Sequence, residues 1–141
     1  MNAVFLDTSG AIALLHSGDK YHDKARALAT RFRDERRPRL TTATVLSELG
    51  DGFARKKRWD ILDPFLAALL SDPLVTLIAA DRDLVERARE LRNARPDKDW
   101  GMTDCLSFVV MTDHGTQEAF TADHHFQQAG FRALLLEAAT A

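Results

Sequence analysis

Short apolar runs alternate with segments of helical periodicity along this whole chain, and that alternation restricts the folds open to it. The apolar runs predict five strands, over residues 3–6, 39–42, 74–79, 118–121 and 131–136. The segments between them predict helices over residues 11–15, 21–33, 43–55, 59–70 and 81–93, a helix capped by Thr103 or Asp104, and a short helix ending near Gly130. Strands separated by helices pair in parallel through right-handed crossovers. The predicted fold is therefore α/β, with helices on both faces of a central parallel sheet.

Composition limits the classes of protein that remain. The 141 residues are 45% hydrophobic and 28% charged, with no linker or repeat, so we predict one domain over residues 1–141. Cys105 is the only cysteine, which excludes an intrachain disulfide and a cysteine-rich zinc site, and its apolar neighbours predict a buried, unreactive thiol. No run approaches the roughly 20 apolar residues of a membrane span, and the N-terminus lacks a basic signal-peptide opening. We expect a soluble, cytoplasmic protein.

Four acidic residues lie where an apolar run meets a turn or the start of a helix. Asp7 follows Val-Phe-Leu, Glu48 lies in Val-Leu-Ser-Glu-Leu, Asp104 in Met-Thr-Asp-Cys-Leu, and Asp123 in Ala-Phe-Thr-Ala-Asp. Carboxylates beside buried apolar segments are costly to desolvate unless a positive charge compensates them. Ligand sites in α/β folds lie at the carboxyl ends of the strands, so we expect all four acids to reach one edge of the sheet.

A divalent cation would explain such a gathering. Four neighbouring carboxylates repel one another, and their pKa values rise unless a cation neutralises them. Oxygen ligands suit Mg²⁺ or Mn²⁺, whose usual biochemical partner is phosphate. The residues therefore predict a metal-dependent phosphodiesterase. The net charge of -2 gives no overall attraction to nucleic acid, so a polyanion must be held by a local basic patch or through the metal.

Each acid also has a purely structural explanation. Asp7, Asp104 and Asp123 could be helix N-caps, and Glu48 could be a solvated residue of its helix. This explanation needs four separate coincidences, whereas a metal site accounts for them together. The pair His124-His125 suggests a transition metal, but adjacent residues lie about 100° apart around a helix. We therefore expect at most one of the two to face the site, and a surface role is favoured.

Four segments that contain these acids resemble the PIN-domain family. They are Asp7-Thr8-Ser9-Gly10-Ala11-Ile12, residues 41–49 ending in Ser47-Glu48-Leu49, residues 97–105 (Asp-Lys-Asp-Trp-Gly-Met-Thr-Asp-Cys), and residues 121–126 (Thr-Ala-Asp-His-His-Phe) with Ala129-Gly130-Phe131. The likeness covers essentially the whole chain in order and is greatest to VapC-type ribonuclease toxins of prokaryotic toxin–antitoxin pairs. Two features depart from the pattern: a Thr-rich stretch (Thr41, Thr42, Thr44) replaces a frequent Asn, and Gly101 stands where Ser is frequent. Neither removes a carboxylate.

The resemblance implies a parallel sheet of four to five short strands and an acidic Mg²⁺ or Mn²⁺ site that cleaves RNA. Its matched acids are Asp7, Glu48, Asp104 and Asp123. In the mechanism we predict, one or two Mg²⁺ ions held mainly by Asp7 and Asp104 bind the phosphate and activate a water. Glu48 and Asp123 ligate through water, place a second ion, or accept the proton of the nucleophile.

Further side chains are assigned supporting roles. Thr8 and Thr103 orient ligands or the scissile phosphate, and Asp99 is an additional candidate whose alternative role is to cap the following turn. Two basic stretches are candidates for holding RNA phosphates, although such runs are usually solvated helix ends. The candidate RNA contacts are Arg36, Arg37, Arg39, Arg55 and Lys56.

The family likeness also implies partners, namely a small antitoxin protein that blocks the acidic groove and a second copy in a homodimer. The apolar helix face of residues 61–70 either supplies an interface or packs in the core. Two other functions stay open. One is a catalytically silent interaction module whose acids are caps, and the other is a metal-dependent phosphatase acting on small phosphoesters. The absence of an Asp-x-Asp motif after the first strand argues against phosphatases that form an aspartyl-phosphate.

Overall fold

The structure is a computed structural model that describes residues 2–138. Its strands are β1 (Val4–Leu6), β2 (Arg39–Thr42), β3 (Val75–Ile78), β4 (Glu118–Phe120) and β5 (Arg132–Ala133). Its helices are α1 (Thr8–Leu15), α2 (His22–Asp34), α3 (Ala43–Arg55), α4 (Trp59–Ser71), α5 (Arg82–Ala94), α6 (Met102–Asp113) and α7 (His124–Gln128), followed by a 3₁₀ helix (Leu134–Leu136).

The strands form one five-stranded sheet in the order β3-β2-β1-β4-β5. Every neighbouring pair is parallel, and Val4 of β1 lies opposite Arg39 of β2 and Glu118 of β4. All three residues of β1 are buried, although successive side chains of a strand point to opposite faces. Both faces of the central strand are therefore covered, and the predicted α/β class with a parallel sheet is confirmed.

Two predicted boundaries were wrong. The strand expected over residues 131–136 has only two residues, because the chain turns into the 3₁₀ helix as soon as β5 has paired with β4. Helix α6 is not capped by Thr103 or Asp104. It begins at Met102 with Gly101 as its N-cap, and Asp104 lies in the first turn, where its Oδ2 accepts the Gly101 N–H at 3.1 Å.

Helix α1 approaches β4 unusually closely at Gly10. A Cβ atom at this position would lie 2.0 Å from the Phe120 carbonyl oxygen, a distance that no side chain can occupy. Only glycine allows this approach. The contact brings the first turn of α1, which includes Ser9, against the residues that follow β4.

An aromatic cluster packs helices α6 and α7 together. Phe108 makes edge-to-face contacts with Trp100 and Phe126, both with ring centroids 5.0 Å apart. The Trp100 indole N–H donates to Gln128 at 3.0 Å. Cys105 is buried beside this cluster, as predicted. Among residues 2–138 we find no helix with the length and apolar character needed to cross a bilayer.

Candidate metal centre

All four predicted acids lie on or beside elements that end or begin at the carboxyl edge of the sheet. Asp7 directly follows β1, and Asp123 lies three residues beyond the last residue of β4. Asp104 is in the first turn of α6, and Glu48 lies in the second turn of α3, the helix that directly follows β2. We refer to Asp7, Glu48, Asp104 and Asp123 as the carboxylate cluster.

Asp7 is a buried carboxylate held by hydroxyl groups. Its Oδ2 accepts hydrogen bonds from Thr121 Oγ1 at 2.7 Å and Ser9 Oγ at 3.1 Å, and its side chain is only 6% exposed. It occupies the N-cap position of α1 but makes no side-chain capping bond. Capping therefore does not account for Asp7.

The same two hydroxyls connect the ends of β1 and β4. Ser9 Oγ and Thr121 Oγ1 lie 2.8 Å apart, and Ser9 Oγ also accepts the Ala122 N–H at 2.9 Å. Thr121 Oγ1 accepts the Asp123 N–H at 3.0 Å. Thr121 thus touches both the Asp7 carboxylate and the backbone of Asp123, which holds these two acids next to each other.

Burial raises the pKa of Asp7 from 3.8 to about 6. Hydrogen bonds from Thr121, the Thr8 backbone and Ser9 partly oppose this rise, whereas the negative charge of Asp123 adds to it. Hydroxyl donors stabilise the carboxylate without neutralising it. The ionised Asp7 carboxylate would therefore be stabilised by a nearby positive charge.

Asp104 and Asp123 share one imidazole. His125 Nδ1 lies 3.1 Å from Asp104 Oδ2 and 3.3 Å from Asp123 Oδ1. Burial raises the pKa of Asp104 and the Asp123 charge raises it further, against hydrogen bonds from Gly101 and His125 that lower it. Asp123 also accepts the His125 N–H at 2.9 Å and so caps α7, as its alternative explanation predicted. Capping and membership of the cluster are compatible at this residue.

Glu48 reaches the cluster through Thr8. The Thr8 hydroxyl donates to Glu48 Oε1 at 2.6 Å, joining residues that lie 40 positions apart in the chain. Thr8 is the neighbour of Asp7, so this bond fixes the exposed Glu48 carboxylate beside the buried one. Thr121 thus connects the Asp7 carboxylate with the backbone of Asp123, His125 connects Asp123 with Asp104, and Thr8 connects Glu48 with the residue that follows Asp7.

The cluster has the chemistry of a site for a hard divalent cation. Within residues 2–138 none of its four acids is paired with a lysine or arginine, and the only basic partners are His124 and His125. Carboxylates of raised pKa with hydroxyl supports leave several oxygen atoms free to bind a cation. The donor set fits Mg²⁺ or Mn²⁺, and a bound cation would supply the positive charge that the protein itself does not provide.

Other predicted residues lie farther from this arrangement. Thr103 is half-buried in the first turn of α6, next to Asp104. Asp99 is exposed and has no hydrogen bond or ion pair within the described part of the chain. Its alternative role of capping the following turn is not seen among residues 2–138 either, and Asp104 accepts the Gly101 N–H there.

The first basic stretch lies at the opposite edge of the sheet. Arg39 opens β2, so Arg36, Arg37 and Arg39 lie at the amino ends of the strands, not beside the carboxylate cluster as expected. Arg37 is buried and ion-paired with Glu118, and Arg39 is paired with Asp72. Arg37 and Arg39 therefore form structural ion pairs. They are held there because β2 begins beside the start of β1, at the amino edge of the sheet.

The second basic stretch follows Glu48 along the same helix. Arg55 ends α3 and Lys56 is its C-cap, and both are exposed. Lys56 and Arg58 line a groove of about 160 Å³ together with Glu48 and His16. Glu48 is the member of the carboxylate cluster that lines this groove, and apart from His16 and the two basic side chains the remaining lining is apolar.

Sequence reasoning missed Ser9 and Thr121 as members of the site, and it favoured a surface role for His124-His125 while allowing one of them to face the site, which is His125. Ser9 and His125 each lie two residues after a predicted acid, and Thr121 lies two residues before one. Their closeness in sequence to the acids was the one feature that could have indicated them. His124 and His125 also do not diverge as helical spacing predicted. Their ring centroids are 4.5 Å apart, because both side chains turn toward the Asp123 carboxylate at the start of a five-residue helix.

Comparisons with known proteins agree with this architecture. The family model described as PIN domain matches residues 4–132. The 23S rRNA-specific endonuclease VapC20 from two strains of Mycobacterium tuberculosis is 28% identical over 136 residues, which cover 91% of this chain and 95% of that protein. The crystal structure of M. tuberculosis VapC20, a sarcin–ricin loop cleaving toxin, superimposes with a TM-score of 0.78 and 28% identity over 92% of this chain and 96% of that one.

Proposed function

The chain belongs to the PIN domain family, and from this membership we propose that it is a metal-dependent endoribonuclease. The relative VapC20 is an endonuclease specific for 23S rRNA and resembles this chain over nearly its full length. We therefore propose ribosomal RNA as the first substrate to test. The reaction is hydrolysis of a phosphodiester bond that leaves a 5′-phosphate and a 3′-hydroxyl.

One observation carries the proposal. Bonds through Thr8, Thr121 and His125 connect the four segments that carry the acids at the carboxyl edge of the sheet, and no lysine or arginine within residues 2–138 is paired with any of the four. A silent interaction module would have no reason to keep a buried Asp7 whose pKa is raised to about 6. Helix capping explains Asp123 but not Asp7. A catalytically silent interaction module would therefore leave Asp7, the carboxylate that is costly to bury, without a role.

The proposed cation is Mg²⁺, with Mn²⁺ as a substitute. Asp7 and Asp104 would hold it, since burial raises the pKa values of both carboxylates and a cation would relieve that cost. When bound, the cation neutralises charge on the phosphate and lowers the pKa of a water. Ser9 and Thr121 orient the Asp7 carboxylate through their hydroxyls.

The remaining acids are assigned to proton transfer and to outer positions. Glu48 is exposed and fixed by the Thr8 hydroxyl at 2.6 Å, a placement suited to a group that accepts a proton from the attacking water. Asp123 shares His125 with Asp104 and contributes negative charge to the cation site. Thr103 and Asp99 are proposed to act on the substrate side of Asp104, near the start of α6.

The RNA path that we propose follows α3 from Glu48 to the basic side chains at its C-terminal end. Arg55 and Lys56 contact phosphates there, since both are exposed and Lys56 lines the groove that contains Glu48. Arg36, at the opposite sheet edge, is exposed, whereas Arg37 and Arg39 are engaged in ion pairs, so we do not include this stretch in the path.

We further propose that the protein is the toxin of a toxin–antitoxin pair, with one nuclease domain over residues 1–141. Support comes from the toxin VapC20 and from the continuous hydrophobic core of the described residues. The partner would be a small antitoxin that covers the carboxylate cluster, and the toxin would act as a homodimer in the cytoplasm, where its RNA substrate is made.

The decisive experiment is cleavage of purified 23S rRNA with Mg²⁺, with Mn²⁺ and with EDTA, followed by mapping of the new ends. We expect cleavage with either metal, none with EDTA, and a loss of at least about 100-fold in Asp7→Asn. Asp51→Asn is the matched control, because Asp51 is an exposed carboxylate on the same helix as Glu48. Undiminished cleavage in EDTA, or ends carrying a 2′,3′-cyclic phosphate, would refute the mechanism.

A further inference from the structure

Three potential metal ligands are consecutive in the chain at the start of α7. Oδ1 of Asp123 lies 3.8 Å from Nδ1 of His124 and 3.3 Å from Nδ1 of His125. One ligand atom from each residue lies within 4.8 Å of those of the other two. The two imidazole rings stand side by side with centroids 4.5 Å apart.

The two distances from Asp123 to the imidazoles are close to those of a tetrahedral metal site. Zinc bonds to nitrogen and oxygen of roughly 2.0–2.1 Å place neighbouring ligand atoms about 3.3–3.4 Å apart around the ion. The observed separations of 3.3 and 3.8 Å need little adjustment. Asp104 Oδ2, at 3.1 Å from His125 Nδ1, is near enough to approach the fourth position, which water can otherwise fill.

The ligand types separate this site from the rest of the carboxylate cluster. Mg²⁺ prefers an all-oxygen environment, whereas imidazole nitrogen suits zinc and its neighbours in the first transition series. We propose that Asp123, His124 and His125 form a zinc site that overlaps the carboxylate cluster and, when filled, inhibits the Mg²⁺-dependent reaction. Zinc binding needs each imidazole in the tautomer that carries its proton on Nε2, leaving the Nδ1 lone pair for the metal.

Inhibition follows from the two shared residues. Zinc bound at His124 and His125 would take Asp123 out of the hard-ion site. It would also hold His125 away from its hydrogen bond with Asp104, since Nδ1 cannot donate a proton and bind a metal together. This consequence rests on the proposed function, whereas zinc binding itself does not.

His124 is the residue that separates the two sites experimentally. Its side chain is 67% exposed, and its one ion pair with the carboxylate cluster among residues 2–138 is the 3.8 Å approach to Asp123, so His124→Ala should spare the Mg²⁺ reaction, for which we propose Asp7 and Asp104 as the main ligands. His114→Ala is the matched control, because His114 lies at the opposite end of α6 from Asp104. Circular dichroism spectra of each variant would test that it is folded.

The first test measures binding without RNA. Wild type, His124→Ala and His114→Ala are titrated with Zn²⁺ in competition with a chromophoric chelator, and with Co²⁺ to record the intense visible absorption of tetrahedral coordination. We expect one bound ion per chain and at least about tenfold weaker binding by His124→Ala. A wild type that binds no Zn²⁺, or a His124→Ala protein that binds it equally well, overturns the site.

The second test measures RNA cleavage at fixed Mg²⁺ with increasing Zn²⁺. Zinc should inhibit wild type and His114→Ala at concentrations at least about tenfold below those that inhibit His124→Ala. Equal inhibition of all three proteins overturns the inhibitory role. If no protein cleaves RNA under any condition, the proposed function fails, and the binding titration still decides whether the zinc site exists.

Discussion

The Nδ1 atom of His125 lies 3.1 Å from Oδ2 of Asp104, a residue 21 positions earlier in the chain. The same atom lies 3.3 Å from Oδ1 of Asp123, so one N–H group separates two carboxylates in the protein without metal. It occupies the kind of position that a cation would take between like charges. Stability and metal binding are therefore coupled at this point of the fold.

Replacing His125 with alanine should destabilise the metal-free protein by about 1 kcal/mol, since a partly exposed, charge-assisted hydrogen bond is lost and two carboxylates then face each other. Saturating Mg²⁺ should restore most of this loss, because the cation takes over the neutralising role. Urea unfolding with and without Mg²⁺ measures both quantities. An equal loss under the two conditions would mean that His125 contributes packing only.

Replacing Asp7 with asparagine should stabilise the metal-free protein at high pH while abolishing cleavage. A pKa raised from 3.8 to about 6 means that ionisation of Asp7 destabilises the fold by up to about 3 kcal/mol above pH 6. The pKa of Asp7 is higher in the folded protein than in the unfolded chain. The penalty is therefore absent below about pH 4, grows as the pH rises from there to about 6, and is fully present at higher pH. The stability difference between Asp7→Asn and wild type should follow the same course in urea titrations from pH 4 to 8. A stability difference that does not vary with pH would contradict this prediction.

The bond between Thr8 and Glu48 should matter for catalysis more than for stability. Thr8→Val removes the donor that holds Glu48 Oε1 at 2.6 Å, and we expect RNA cleavage to slow by about tenfold, with a larger loss in Glu48→Gln. The free energy of unfolding of both variants should lie within about 0.5 kcal/mol of the wild-type value, since Glu48 is exposed. Single-turnover cleavage rates and urea unfolding test the two halves. If Thr8→Val cleaves RNA at the wild-type rate, the hydrogen bond from Thr8 is not needed to position Glu48 for catalysis.

Gly10 and Gly52 should respond in opposite directions to alanine. In Gly10→Ala the new Cβ would meet the Phe120 carbonyl oxygen at 2.0 Å, so α1 must shift from β4, with a loss of at least about 3 kcal/mol. Gly52 is also helical, but nothing lies within 4 Å of a Cβ there, and Gly52→Ala should stabilise α3 by roughly 0.5–1 kcal/mol. Thermal unfolding measures both. A tolerated Gly10→Ala would mean that the contact between α1 and β4 is not tight.

Local pattern predicted most of the secondary structure. Strand β2 and helix α3 have the predicted ends, because Thr42 ends the strand and caps the helix by accepting the Val45 N–H. The last strand was overestimated because an apolar run does not distinguish a strand from a buried 3₁₀ turn. What ended β5 after two residues was the limit of its pairing with β4, which no local pattern records.

Position along the chain also predicted which acids end near the sheet edge, but not what they touch. The adjacency of Asp7 to β1 follows from the sequence, whereas its bond to Thr121 joins residues 114 positions apart. Arg37 shows the reverse case: its basic neighbourhood suggested an RNA contact, and packing placed it against Glu118 instead.

The sequence by itself determined that strands and helices alternate and that a carboxylate follows two of the central strands, since periodicity and chain order are local properties. Only the tertiary structure decided that one imidazole would serve both Asp104 and Asp123 and that Thr8 would hold Glu48. The physical reason is that a hydrogen bond depends on distance in space to within a few tenths of an ångström. Packing of α1 and α6 against the sheet sets those distances, and residue order does not.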